Sequence, residues 1–206
     1  MARKQNQLNA REIFYIITNG EETERNYFSL LKTYKSVYDV KIIPRNADPK
    51  GLVDFAKALV GEANQVWVVF DVDNSYSDGR LVPAINEAER TGVHYAFSNV
   101  AFEVWLISHY KQLSKSMTEK QLEDDLNDYI KNTLKKKTKY EKNDEDFLKK
   151  HFVPQYKTAI NNAKIVYQIK KKAHIERFGD YSRVPIWEWN SATSVFLLVE
   201  ALKLQL

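Results

Sequence analysis

Val66-Trp67-Val68-Val69-Phe70-Asp71-Val72-Asp73-Asn74 is the stretch on which the reading of this chain turns. β-branched and aromatic residues run unbroken into two aspartates one residue apart. A short apolar run bounded by turn formers fits a strand covered on both faces, as in a parallel sheet. In open α/β sheets the carboxyl ends of the strands face the ligand crevice, where Asp71 and Asp73 would then sit. Period-two geometry aims both side chains the same way, so the carboxylates could share one hard cation such as Mg²⁺. Asp-Val-Asp-Asn-Ser is also good turn chemistry, and the local pattern leaves both readings open.

Working outward, strand and helix patterns alternate through the first half of the chain. Glu12 to Thr18 is an apolar strand, and Asn19-Gly20 turns the chain. Glu21, Glu22 and Glu24 then lead into a helical face of Tyr27, Phe28, Leu30 and Leu31, where acids in a first turn suit the helix dipole. Asp39 to Ile43 is a third short strand. Pro49 opens a helix to about Gly61, since proline suits the first helical position. Leu81 to Arg90 is helical and closed by Thr91-Gly92. Val93 to Phe97 is the next strand, and Ser98-Asn99 is expected to cap a helix from Phe102 to Tyr110. This alternation, with short connections, predicts βα units on a mostly parallel sheet with helices on both faces, over residues 11–110. After residue 110 the pattern becomes helical: Met117–Lys137, Glu145–Phe152, Gln155 to Phe178, and Ser191–Leu204. Residues 111–206 are therefore expected to form a helical region packed on the sheet domain.

Composition bounds the function. With 44% apolar and 13% aromatic residues among 206, the chain is globular. No cysteine is present, which excludes disulfides, thiolate zinc sites and cysteine nucleophiles. No apolar run reaches membrane-spanning length, and no charged-then-apolar leader stands at the N-terminus, so a cytoplasmic protein is expected. A net charge of +4 permits contact with nucleic-acid phosphates without demanding it.

Three strand-to-helix junctions carry acid: Glu21 and Glu24 after the first strand, Asp71 and Asp73 after the central one, and Glu103 after the fourth. Convergent carboxylates repel, so a divalent cation is a physical reason to gather them, and metal with phosphate is the usual task of such a set. Glu103 stands in the apolar run Ala101-Phe-Glu-Val-Trp-Leu-Ile107, where a charge wants a partner, a metal or an exposed face. His109 lies six residues further and does not share the face of Glu103 at 3.6 residues per turn, so it reads as a packing or surface residue. Gly20 would let backbone N–H groups approach a phosphate. The basic runs Lys131–Lys139 and Lys170–Lys172 read as solvated helix faces, or as phosphate contacts if they flank the acids. Trp187 and Trp189 read as packing for the last helices, with base stacking as the alternative.

These residues also carry a family pattern. Gly20-Glu21-x-Thr23-Glu24-x-Asn26-Tyr27-Phe28, the 66–73 stretch, and Ser98-Asn99-x-x-Phe102-Glu103-x-Trp105-Leu106-x-x-His109 together resemble the RloB family, as do Asn161–Lys164 and Ser191–Glu200 near the C-terminus. The resemblance implies a Toprim-like domain, a Rossmann-like α/β unit in which an acid after the first strand and an Asp-x-Asp after a later one bind Mg²⁺ (or Mn²⁺) and act on phosphodiesters. It also implies a setting in phage-defence or restriction loci, and so a nuclease acting on DNA or RNA. Carried over, Asp71, Asp73 and Glu24 hold metal, and Glu24, Glu103 and Asp71 are catalytic. Where the family's first motif has glutamate before Gly20, this chain has Asn19, whose carbonyl can coordinate Mg²⁺ but which cannot act as a base. Either Glu21 or Glu24 takes over from it, or the site is weakened. The alternative expectation is a degenerate Toprim-like module that binds nucleic acid or nucleotide without turnover, alone or with a partner protein.

Overall fold

The computed structural model describes residues 12–72, 75–180 and 185–205. Four strands, β1 (Ile13–Thr18), β2 (Asp39–Pro44), β3 (Gln65–Asp71) and β4 (His94–Ser98), form one parallel sheet in the order β2-β1-β3-β4. Val66 to Phe70 are all buried, as expected of a central strand covered on both sides. The alternation divides them. Trp67 and Val69 join Phe14 and Ile16 in one core, whereas Val66, Val68 and Phe70 join Ile17 and Phe97 in the other. Each large side chain so buried contributes roughly 1.5–3 kcal/mol relative to exposure.

The handedness of the crossovers explains which helix covers which face. From β1 the chain steps outward to β2 through α1 (Thr23–Leu31), and α1 packs in the Phe14 core. From β2 it returns past β1 to β3 through α2 (Pro49–Ala56), then continues to β4 through α3 (Leu81–Thr91). Reversing direction with right-handed crossovers puts α2 and α3 on the opposite face, and both pack in the Val68 core. Asp48 caps α2 by accepting from Gly51 N at 2.8 Å, with Pro49 in the first turn. Gly92, at φ 77°, ends α3 in the left-handed conformation.

The later helices are α4 (Glu103–Ser108), α5 (Glu119–Asp128), α6 (Glu145–Phe147), α7 (Tyr156–Phe178) and α8 (Val195–Ala201). They share the Phe14 core with the sheet through Leu106, Leu122, Phe147, Ala159 and Leu198. Among the described residues no strand follows β4, and no helix is long and apolar enough to cross a membrane.

Three sequence expectations are corrected. Ser98 and Asn99 do not cap α4, because the C-terminal segment claims their side chains. Ser98 Oγ pairs with Thr193 Oγ1 at 3.0 Å, and Asn99 Nδ2 donates to Ile186 O at 2.7 Å. For the same reason 191–194 is not helical. Asn99 N donates to Ala192 O and Ser194 N to Phe97 O, sealing the open edge of β4 before α8 begins at Val195. The helix expected over Met117–Lys137 starts from a capping box at Thr118 and Gln121, then widens into a π-helical turn at Tyr129–Thr133 and stops. Trp189 packs in the Val68 core, while Trp187 stacks on Tyr76 with centroids 4.5 Å apart.

Candidate functional site

The strand order has one direct consequence. The chain leaves β1 toward β2 on one side and later enters β3 on the other, so the crevice between the carboxyl ends of β1 and β3 is a topological switch point, where ligands bind in open α/β sheets. Asn19 and Gly20 follow β1 there, and Asp71 ends β3 on the side of Trp67 and Val69. Asn19 to Glu24, Asp71, Phe102, Glu103 and Lys142 line a cleft of about 210 Å³ at this point.

Glu24 and Glu103, 8% and 7% exposed, form its floor. Glu24 lies in the first turn of α1 and Glu103 opens α4, positions where the positive end of a helix favours a carboxylate. Gly20 makes room for Glu24, since a β-carbon there would lie 1.7 Å from Glu24 Oε2. The demand on this glycine is for space. Thr18 Oγ1 donates to Gly20 O at 2.9 Å and holds the turn. Asn19 continues the ladder by donating its N–H to Val69 O at 3.1 Å. Glu21 is exposed at the rim.

Two further side chains come from the segment between α5 and α6. Tyr140, buried, donates its hydroxyl to Glu103 Oε1 at 3.0 Å, and Lys142 Nζ stands 3.8 Å from the same oxygen. The segment is pinned by its backbone. Tyr140 N donates to Asn127 Oδ1 at 2.8 Å, and Thr23 Oγ1 donates to Lys142 O at 2.9 Å. Neither residue was singled out from the sequence. The available signal was weak: Tyr140-Glu141-Lys142 directly follows the basic run ending at Lys139.

The electrostatics are those of like charges gathered in a half-dry site. Burial pushes the Glu24 carboxyl up from its ordinary range; its own N–H opposes this, the charge of Glu103 adds to it, and Lys142 eases it. Burial, reinforced by Glu103, holds the Tyr140 phenol protonated as a donor. The Lys142 ammonium is pushed up by Glu103 first, against its own desolvation, with Asp71 and Glu24 adding.

The donor chemistry suits a hard divalent cation, which prefers carboxylate and amide oxygens. Asp73 lies outside the described residues, so the expected Asp-x-Asp pair is seen only through Asp71. Among the described residues no three Asp, Glu or His side chains converge closely enough to hold a metal ion. Among the described residues, Lys142 brings a positive charge to these carboxylates.

His109 lies away from the cleft. It is enclosed in the Phe14 core, its ring edge-on to Trp105 at 5.2 Å and to Phe152 at 5.4 Å. Nδ1 faces Trp105 O at 3.0 Å and Leu106 O at 3.1 Å, so it carries the proton, and Nε2 accepts from Tyr27 OH at 3.0 Å. Within the basic runs, Lys131, Lys135, Lys137 and Lys139 are exposed, whereas Lys136 donates to His151 Nε2 at 2.7 Å and Lys170 to Asn190 O at 2.9 Å. A larger groove of about 790 Å³ passes Tyr110 and Tyr129, but those rings stack on each other at 3.8 Å and leave no open platform between them.

No curated protein and no solved structure matches the chain. A family model described as RloB-like protein matches residues 14–202. That span takes in all four strands but for Ile13, the acidic cleft and the C-terminal segment that seals β4, and the chain belongs to the RloB-like family.

Proposed function

We propose that this protein is a divalent-metal-dependent nuclease that cleaves phosphodiesters of DNA or RNA. The defence setting is the one its RloB character implies. One observation carries the reading: Glu24, Asp71 and Glu103, from three separate junctions, border a single cleft at the switch point, with the Glu24 carboxyl pushed up by burial and by Glu103. A fold gains no stability by gathering repelling carboxylates in a poorly solvated cleft, and perturbed carboxyls in a cleft mark functional sites.

In this reading Asp71 and Glu24, with Asp73, would hold Mg²⁺ or Mn²⁺. Glu103, held by the Tyr140 hydroxyl, lines the same cleft. Asn19 lies at the mouth and offers a neutral amide oxygen where the family motif carries an acid. A bound divalent ion would supply Lewis-acid polarisation of the phosphate and a more acidic water. Exposed lysines after α5 provide sequence-independent contacts for a nucleic-acid backbone.

The test is a Mg²⁺ and Mn²⁺ titration against single- and double-stranded DNA and RNA. Metal-dependent cleavage is expected, reduced at least about 100-fold by Asp71→Ala, the scale of losing a principal electrostatic group. Equal cleavage by wild type and Asp71→Ala removes the proposal. Asn19 favours a second reading, in which the cleft binds nucleic acid or nucleotide without turnover. Cleavage that appears only in Asn19→Glu would establish that one.

A further inference from the structure

Lys142 is out of place in an acidic site. It comes from the segment between α5 and α6, far in sequence from the βα junctions, and yet lines the cleft with Glu24, Asp71 and Glu103. Its backbone and side chain behave differently. The carbonyl is held by Thr23 Oγ1 at 2.9 Å, directly beside Glu24 in the chain. The side chain is 66% exposed, and its 3.8 Å approach to Glu103 Oε1 is an ion pair beyond hydrogen-bond length. Hydrogen bonding to that oxygen is already provided by Tyr140 at 3.0 Å. What Lys142 adds is charge, delivered on a tether that can swing away.

We propose that Lys142 is the cleft's own counter-cation: it offsets the carboxylates in the metal-free protein and competes with a divalent ion for them. The inference rests on the metal reading of the cleft and makes Lys142 a positioning residue for it. Glu24 and Glu103 repel each other across the cleft while one exposed ammonium stands over them, so a doubly charged ion has reason to enter. It must work against the Lys142 charge, whose pair with Glu103 is exposed enough to be weak. The pinned carbonyl at Thr23 keeps the displaced ammonium within reach of the cleft mouth, where a phosphate would arrive.

The experiment is a calorimetric Mn²⁺ titration of the full chain as wild type, Lys142→Met and Lys142→Arg. Lys142→Met is expected to bind Mn²⁺ roughly three- to tenfold more tightly, a range matching the coupling of an exposed ion pair. Lys142→Arg should stay near wild type. Equal or weaker binding by Lys142→Met overturns the competition. If none of the three binds Mn²⁺, the metal reading of the cleft fails, and melting in chelator decides the counter-ion role by itself. There Lys142→Met should lower the midpoint by about 2 °C, and Glu103→Gln should remove that loss. Additive shifts would overturn it.

Discussion

Two buried polar groupings lie on α1 and α4, and they are built in opposite ways. Tyr27 and His109 sit inside the Phe14 core with both imidazole nitrogens hydrogen-bonded and aromatic edges on several sides. Glu24 and Glu103 are nearly as buried, but they face a cleft and repel each other, with Tyr140 hydrogen-bonded to Glu103 and an exposed lysine as relief for both. The first pairing is satisfied within the fold and has no need of a ligand. In the second, Lys142 only partly offsets the repulsion between Glu24 and Glu103. Burial of a titratable group is therefore a poor guide to function until its partners are counted.

The comparison can be broken most severely from the core side. His109→Ala should cost about 2–5 kcal/mol in urea unfolding, from a cavity and a Tyr27 hydroxyl left without its acceptor. A loss below about 1 kcal/mol would mean that the pairing is not structural.

Acid titration ranks next. Burial pushes the His109 imidazole down to about 4 from an ordinary value of 6.5. Between those values the unfolded chain binds the proton and the folded one refuses it. The His109 contribution is thus full above pH 6.5, declines as pH falls, and is gone near 4. At about 1.4 kcal/mol per unit this amounts to roughly 3 kcal/mol, and the slope should be absent from His109→Gln.

A smaller effect is expected at the cleft. Gly20→Ala puts a β-carbon where Glu24 Oε2 now lies, and the flexible carboxylate is what must move. Stability should change by less than about 1 kcal/mol, while Mn²⁺ binding measured by calorimetry weakens. Unaltered binding would show that Glu24 is not a ligand.

Glu24→Gln should give the smallest change, with the opposite sign to His109. A carboxyl raised above its ordinary 4.5 favours the folded state while protonated, and that benefit is lost as pH rises through the folded value. The variant should therefore melt slightly higher than wild type at neutral pH and show a flatter profile above pH 4.5. A lower midpoint at neutral pH would mean that the ionised carboxylate has better partners than Lys142 and its own backbone.

Much of this architecture was legible because strand and helix periodicity is local. β3 was readable as an unbroken apolar run, α2 from Pro49, and the end of α3 from Gly92. Two of the three misreadings share one cause. Ser98, Asn99 and 191–194 carry good capping and helical chemistry, but an open strand edge competed for the same hydrogen-bonding groups. No local pattern announces that competition. The cleft was partly legible, since an acid at a strand-to-helix junction is a sequence feature.

The sequence by itself determined the alternation of strands and helices and the acids at three junctions, because each depends on spacing along the chain. It also carried the family. The tertiary structure decided which junctions meet: only the order β2-β1-β3-β4 brings the ends of β1 and β3 side by side. It decided that His109 belongs to the core. It also delivered Tyr140 and Lys142 to Glu103 from a segment 37 residues further along at Tyr140, a proximity fixed by packing and invisible to any periodicity.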